Sequence, residues 1–346
     1  MIDLSAYPIW VNISAFLLAT GIIVLSGTRL AKFADQLADK TKLGEAITGT
    51  IFLGLITALP GLVASVTAAW EGRPALAISN AIGGIAIQTT FLAFADIAYP
   101  KANLEHAAAS ATNLIQTVIL LGLLTMIFLG LSGPDIAVFH ISPFSLLLFF
   151  SALAGFWLVF NTKKSPMWKP TQTSSTVEDV PDEEHMEKDL SLLILYFFIN
   201  ALIVTAAGAA VAHTTGNLSD STGMNETLAG GLLSGISTSL PELVTTVAAV
   251  RQGALTLAVG DIVGGNFFDV LFVFAADIFY LNGSIFHGST VVAREAFLTG
   301  LAILLNLVLL LGLLYRQRAG PANIGFESVL LLLLYLAGFL VVGIYM

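Results

Sequence analysis

Long apolar runs recur along the whole chain and constrain its fold more than any other feature. Each is about 18 to 25 residues long, enough to cross roughly 30 Å of hydrocarbon as an α-helix. Their continuous character favours helices over the alternating strands of a membrane β-barrel. We place these runs near 9–28, 45–70, 74–98, 106–131, 141–160, 190–212, 226–250, 254–281, 290–314 and 325–346. The sequence therefore predicts an all-α polytopic membrane protein of about ten transmembrane helices.

The composition agrees with a membrane protein. Hydrophobic residues make up 56% of the chain and charged residues 11%, and the mean hydropathy is +0.89, values far from those of soluble domains. The first run lacks the charged start and cleavage site of a signal peptide, so we expect a retained helix. The chain has no cysteine, which excludes disulfides and thiolate metal sites.

One polar stretch, "STVEDVPDEEHMEKD" at 175–189, contains many of the acidic residues and falls between the fifth and sixth runs. It predicts a solvated linker over 161–189 that separates a first half, 1–160, from a second half, 190–346. A regulatory cation-binding role is the alternative. With an outer N-terminus, every basic residue except Arg73 and Arg294 falls on the cytoplasmic side. This bias predicts a cell-membrane protein with both termini outside and a cytoplasmic linker.

The two halves share an internal repeat. Residues 49–97, "GTIFLGLITALPGLVASVTAAWEGRPALAISNAIGGIAIQTTFLAFADI", align without a gap with 230–278, "GGLLSGISTSLPELVTTVAAVRQGALTLAVGDIVGGNFFDVLFVFAADI", and 18 of the 49 positions are identical. Such similarity indicates duplication. Because each half has an odd number of spans, about five, the second enters the membrane from the opposite side. Two inverted five-helix repeats are typical of secondary transporters, whose substrate sites lie near the membrane midplane.

A proline interrupts the corresponding span of each repeat. Pro60 and Pro241 lack a backbone donor, which frees the carbonyl about one turn earlier, near Ile56 and Ser237. A freed carbonyl within the membrane needs a partner, and a cation is one possibility. A simple helix kink is the alternative.

Acidic side chains in the second repeat indicate what the site binds. Ionised Glu242 near the membrane centre would cost at least about 2.5 to 3.5 kcal/mol, and Asp269 lies in the next span. With the hydroxyls of Thr238 and Ser239, they predict an oxygen-lined site for a hard cation such as Ca²⁺, Mg²⁺, Na⁺ or H⁺. The alternative is a protonated carboxyl group that only stabilises helix packing.

The segments "TSLPEL" and "GDIVGGNFFD" resemble the α-repeat signature of the cation/Ca²⁺ exchanger superfamily, which includes Na⁺/Ca²⁺ exchangers. The resemblance implies a transporter of inorganic cations, Ca²⁺ and Na⁺ or H⁺, with no cofactor. The cation ligands that it implies are Glu242, Asp269, Thr238 and Ser239 in the second repeat and Thr57 and Gln88 in the first.

The first repeat departs from the family pattern. Gly61 stands where the family has glutamate and Ala58 where it has serine, while Gly84 and Gly265 replace serine in the two repeats and Ile85 replaces asparagine. Loss of one carboxylate predicts weaker Ca²⁺ binding or a different substrate, because Ca²⁺ takes six to eight oxygen ligands.

These observations favour a secondary-active antiporter that exchanges a divalent cation, most simply Ca²⁺, against Na⁺ or H⁺ by alternating access around Glu242 and Asp269. The alternatives are monovalent Na⁺/H⁺ exchange, another solute, or a non-transporting ion sensor. The sequence has no GxxxxGK[ST] loop and no HExxH or GxSxG motif, so an ATP-driven pump or an enzyme is not predicted. The expected partners are cations and the lipid bilayer, without nucleic acid, and the oligomeric state is open.

Three further acids have lesser roles in this interpretation. Asp96 and Asp277 occupy matching positions of the repeats, beyond the site, and are predicted to be helix-end or gating residues. Asp261 aligns with Asn80 of the first repeat and is predicted to relay protons.

Overall fold

The computed structural model describes residues 8–41, 54, 57–99, 101–164, 168–174, 176, 189–288, 291, 293–318, 320 and 324–346. Within these ranges, nine helices are long and apolar enough to cross a membrane, and a tenth, Leu59–Trp70, is shorter. Most of the first part of the predicted second span, 45–53 and 55–56, lies outside the described residues, as does Ile56 with its predicted free carbonyl. The predicted all-helical membrane fold is confirmed.

Among the described residues, the ten main helices divide evenly between the two halves of the chain. The first five are α1 (Ile9–Thr41), α2 (Leu59–Trp70), α3 (Pro74–Ile97), α4 (Ala111–Ser132) and α5 (Pro143–Lys164), and the second five are α6 (Leu190–Thr222), α7 (Gly235–Gln252), α8 (Leu255–Phe279), α9 (Ala293–Tyr315) and α10 (Phe326–Ile344). A short turn, Glu226–Leu228, and a π-helical turn, Ala229–Ser234, lead directly into α7. Short helices at Leu104–Ala107 and Ile285–His287 lie between α3 and α4 and between α8 and α9.

Helices α1 and α6 each contain 33 residues, more than the apolar runs at 9–28 and 190–212 predicted. The difference arises because hydropathy marks only the part of a helix that lies in hydrocarbon. Beyond residue 28, α1 continues through Ala, Leu, Lys, Asp and Gln, most of them good helix formers. Gly223, in the left-handed conformation at φ 71°, ends α6.

Helix packing follows the two-fold relation that the internal repeat predicts. Helices α3 and α8 pack against each other at the centre, α1 packs along α6, and α4 packs against α9. The pairing of α2 with α6 and α8 has its counterpart in the pairing of α7 with α1 and α3. Equivalent contacts in both halves are those expected of two inverted five-helix repeats.

Two glycine–proline contacts join the halves. A Cβ atom on Gly27 of α1 would lie 2.6 Å from Cγ of Pro241 in α7, and one on Gly208 of α6 would lie 2.6 Å from the carbonyl oxygen of Pro60 in α2. Both distances are shorter than a side chain tolerates. The contacts are equivalent under the repeat, so glycine at both positions lets the long helices cross the prolines of the opposite half.

Candidate functional site

Six side chains predicted as cation ligands lie at the centre of the helix bundle. Gln88 belongs to α3 and Asp269 to α8, α7 contains Thr238, Ser239 and Glu242, and Thr57 lies two residues before the start of α2. Each is at most 4% exposed. A small space between the repeats is lined by Ala58, Gly61, Asn80, Gly84, Gln88, Thr238, Ser239, Glu242, Asp269 and Phe272. The structure thus brings together five of the six predicted ligands around one space, with Thr57 adjoining them.

Gln88 links the two repeats at this space. Its Nε2 donates a hydrogen bond of 2.7 Å to Oδ2 of Asp269 and one of 3.1 Å to Oγ of Ser239. Gln88 and Asp269 occupy equivalent positions of the aligned repeats, so they meet where the two-fold relation predicts. The other oxygens of the pair, Oε1 of Gln88 and Oδ1 of Asp269, are buried without a hydrogen-bond partner.

Glu242 lies across the same space and is 1% exposed. The Thr57 hydroxyl forms a hydrogen bond with its carboxyl group, and Asp269 and Asp261 are close enough to act on it electrostatically. Its Oε2 is buried without a hydrogen-bond partner. A buried carboxylate in this situation requires a proton or a cation to offset the loss of hydration.

The hydroxyl groups of two threonines are anchored by backbone carbonyls. Thr57 donates to the carbonyl oxygen of Gly54 at 3.2 Å, and Thr238 donates to that of Ser234 at 2.9 Å. A hydroxyl that donates its proton keeps its oxygen lone pairs for accepting or coordinating. Thr238 therefore presents oxygen, not hydrogen, as a potential contact.

Glycine at position 84 leaves space beside Asp269 and Ser239. A Cβ atom there would lie 3.3 Å from Oδ2 of Asp269 and 3.5 Å from Oγ of Ser239. On the other side, a Cβ atom on Gly265 would lie 3.2 Å from Oε1 of Gln88. The two departures from the family's serine thus leave room for the Gln88 amide to reach Asp269.

Sequence reasoning missed two residues that line the space, Asn80 and Phe272. Nδ2 of Asn80 donates to the carbonyl oxygen of Gly61 at 3.0 Å and to Oγ of Ser65 at 2.8 Å, and its Oδ1 accepts from Ser234 at 2.6 Å. The alignment of Asn80 with Asp261 could have indicated Asn80. Phe272 could not be distinguished in the sequence, because both repeats have phenylalanine at this position.

Asp96 and Asp277 lie at the ends of α3 and α8, away from the site. Asp96 accepts hydrogen bonds from the backbone N–H groups of Leu104 and Gly325 and from the Ser328 hydroxyl, at 2.8 to 2.9 Å. Asp277 likewise accepts from the backbone N–H groups of Ile285 and Ser142, at 2.8 and 2.7 Å. The structure places both as helix-end residues, and a gating role stays a prediction.

Asp261 lies between the site and the connection from α7 to α8. Its Oδ2 accepts a hydrogen bond of 3.3 Å from Thr245, whose hydroxyl also donates to the backbone carbonyl of Glu242 at 3.1 Å. Asp261 is 3% exposed. A polar connection therefore runs from Glu242 towards the end of α7.

The donor groups of the site indicate the kind of ion that it suits. Among the described residues, no group of three or more histidine, aspartate or glutamate side chains is arranged to hold a metal ion. Its two carboxyl groups, amide and hydroxyls suit a hard cation that binds and leaves.

Comparison with known proteins places this geometry in a family. The family model described as "Sodium/calcium exchanger protein" matches residues 11–162 and 192–344. The putative antiporter CaxA of Alkalimonas amylolytica is 27% identical over 257 residues, 73% of this chain and 75% of that protein.

Two solved structures have similar folds. The H⁺/Ca²⁺ exchanger CAX superposes with a TM-score of 0.69 at 17% identity, covering 95% of this chain and 82% of that one. The sodium-calcium exchanger NCX_Mj superposes with a TM-score of 0.61 at 17% identity, covering 95% and 98%. The apolar helices and the family match identify an integral membrane transporter. Matching both halves of its sequence and sharing the fold of these transporters, the chain belongs to the sodium/calcium exchanger protein family.

Proposed function

We propose that this protein is a secondary-active antiporter that exchanges a divalent cation, Ca²⁺, against Na⁺ or H⁺ by alternating access around Glu242 and Asp269. The halves 1–160 and 190–346 would move relative to each other, joined by the linker 161–189. The distribution of basic residues supports outer termini and a cytoplasmic linker.

One observation is the main support for this proposal. Oε2 of Glu242, Oδ1 of Asp269 and Oε1 of Gln88 are buried side-chain oxygens without hydrogen-bond partners, and all three residues line the same space. A buried acceptor without a donor is unfavourable by about 1 to 3 kcal/mol. Three such acceptors on residues that line one space, two of them carboxylate oxygens, form a place where a cation replaces the missing donors.

The residues also fit a divalent substrate. Glu242 and Asp269 together balance two positive charges, and Gln88, Ser239 and Thr238 add neutral oxygen atoms around the same space. Ca²⁺ accepts carboxylate, amide, hydroxyl and water oxygens in irregular arrangements. Rotation of the Gln88 side chain would exchange its donating Nε2 for its Oε1 and free Oδ2 of Asp269 for the ion.

The counter-ion would use the same carboxyl groups, because an exchanger must prevent both ions from binding at once. A proton would neutralise Glu242 or Asp269 directly, and Na⁺ would occupy the oxygens left by Ca²⁺. The names of the relatives include both an H⁺/Ca²⁺ exchanger and a sodium-calcium exchanger. The fold is therefore compatible with either counter-ion.

The first test is ion flux with purified protein in proteoliposomes loaded with Na⁺ or held at a pH step, with ⁴⁵Ca²⁺ outside. We expect Ca²⁺ uptake that depends on one of these gradients and stops when an ionophore dissipates it. Protein-free liposomes serve as the control. Na⁺/H⁺ exchange without Ca²⁺ uptake would favour the monovalent alternative, and Ca²⁺ binding without any flux would favour an ion sensor.

If H⁺ is the counter-ion, Asp261 would relay protons between Glu242 and the cytoplasmic end of α7. Its hydrogen bond with Thr245 supports this role. We expect Asp261→Asn to change the pH dependence of Ca²⁺ uptake while leaving equilibrium Ca²⁺ binding within about threefold of wild type. Uptake with an unchanged rate and pH profile in the variant would remove Asp261 from the transport cycle.

A further inference from the structure

Phe272 fills the place that a side chain at position 61 would need. A Cβ atom on Gly61 would lie 2.7 Å from Cε2 and 3.5 Å from Cζ of Phe272. The ring is 4% exposed, and both residues line the same space as Glu242. Gly61, the first-repeat counterpart of Glu242, therefore faces an apolar ring supplied by the second repeat.

The repeat-related pair, Phe91 and Glu242, shows the arrangement when the position opposite the phenylalanine is not glycine. Phe91 is the repeat counterpart of Phe272, just as Glu242 is the counterpart of Gly61. Phe91 does not line the space; it is 3% exposed and packs in the core, with its ring centroid 6.4 Å from that of Phe94. The same aromatic residue thus enters the site only from the side where glycine leaves room.

An aromatic ring on one side changes what the site can hold. Polar side chains that line the space include Glu242, Asp269, Gln88 and Ser239, and Ala58, Gly61 and Phe272 form an apolar part of its wall. An apolar wall cannot replace the hydration of a second ion.

We infer that Phe272 is a specificity-determining residue of this transporter: by filling the space beside Gly61, it restricts the site to a single cation held by the second-repeat carboxylates. This inference rests on the proposed function for the identity of the cation. On this inference, the site has fewer cation ligands because Gly61 lacks a carboxylate and because Phe272 fills the space beside it. Loss of the glutamate is then only part of the cause.

The test compares Gly61→Glu, Phe272→Ala and the double variant Gly61→Glu/Phe272→Ala by equilibrium ⁴⁵Ca²⁺ binding to purified protein. We expect the double variant to bind Ca²⁺ at least about tenfold more tightly than wild type, because a third carboxylate then joins Glu242 and Asp269. Gly61→Glu alone should gain less than threefold, since the enclosed ring blocks the new side chain.

Phe91→Ala provides the matched control, because it removes the same ring from the equivalent position of the other repeat. Combined with Gly61→Glu, it should give no gain beyond Gly61→Glu alone. If removal of Phe272 leaves too little folded protein, Gly61→Asp/Phe272→Leu keeps more apolar volume and should show a gain in the same direction.

The inference would be overturned if the folded double variant bound Ca²⁺ no more tightly than Gly61→Glu. It would also be overturned if Gly61→Glu/Phe91→Ala gained as much Ca²⁺ affinity as Gly61→Glu/Phe272→Ala. Binding is measured without a gradient, so the result is separate from the flux test of the proposed function. If wild-type protein shows no Ca²⁺ flux but the double variant binds Ca²⁺ more tightly, Ca²⁺ exchange is rejected and the role of Phe272 is retained. If wild-type protein shows Ca²⁺ flux but the double variant gains no affinity, Ca²⁺ exchange is retained and the role of Phe272 is rejected.

Discussion

Glu242→Gln is expected to lower counter-ion-dependent ⁴⁵Ca²⁺ uptake at least about 100-fold. The substitution keeps the size of the side chain but removes one of two carboxylates, and removing one partner of a buried charge interaction costs about 3 to 5 kcal/mol. A loss of about 2.7 kcal/mol already corresponds to 100-fold in affinity. The measurement is the initial uptake rate in proteoliposomes with equal amounts of reconstituted protein.

The control for this variant is Glu71→Gln. Glu71 is exposed at the end of α2 and contacts His213, far from the ion site, so its uptake should stay within about twofold of wild type. Asp269→Asn should resemble Glu242→Gln. Uptake by Glu242→Gln at more than half the wild-type rate would contradict a role for this carboxylate in cation binding.

Asp96→Ala is expected to destabilise the protein by about 3 kcal/mol or more. The substitution leaves three buried donors without an acceptor, each costing about 1 to 3 kcal/mol, and separates the end of α3 from the start of α10. Asp277→Ala should have a similar effect, since this residue joins the end of α8 to the start of α5. The measurement is the thermal unfolding midpoint at a fixed scan rate, followed by tryptophan fluorescence.

Asp135→Ala, at an exposed loop position, is the control and should leave the midpoint unchanged within about 1 °C. Folded Asp96→Ala protein, assayed at low temperature, should bind Ca²⁺ with wild-type affinity, because Asp96 does not line the ion site. A normal unfolding midpoint combined with altered uptake would show instead that Asp96 is a gating residue.

The sequence predicted the membrane helices because hydrocarbon selects long apolar runs with internally satisfied backbones. The predicted ligands are brought together because the repeat fixes where equivalent residues meet: Gln88 and Asp269 are aligned in sequence and hydrogen-bonded in space. A local pattern and a symmetry relation were sufficient for these features.

Other features depend on contacts between distant residues and left no local signal. The continuation of α1 beyond residue 28 depends on helix propensity and packing, and a hydropathy pattern reports neither. Phe272 reads as an ordinary core residue until its ring is seen beside Gly61, which lies more than 200 residues away in the chain. The role of Asn80 in holding the Gly61 carbonyl is likewise a tertiary fact.

The glycine–proline contacts between halves have a consequence for biosynthesis. Gly27 leaves the ribosome well before Pro241, against which it packs, because more than 200 residues separate them in the chain. Helix α1 also packs mainly along α6. During synthesis, α1 is therefore inserted into the lipid bilayer before its final neighbours, and it packs against them only after the second half has been inserted. Because each half supplies the surface on which the other's longest helix rests, we expect neither to reach its native packing as a separate polypeptide.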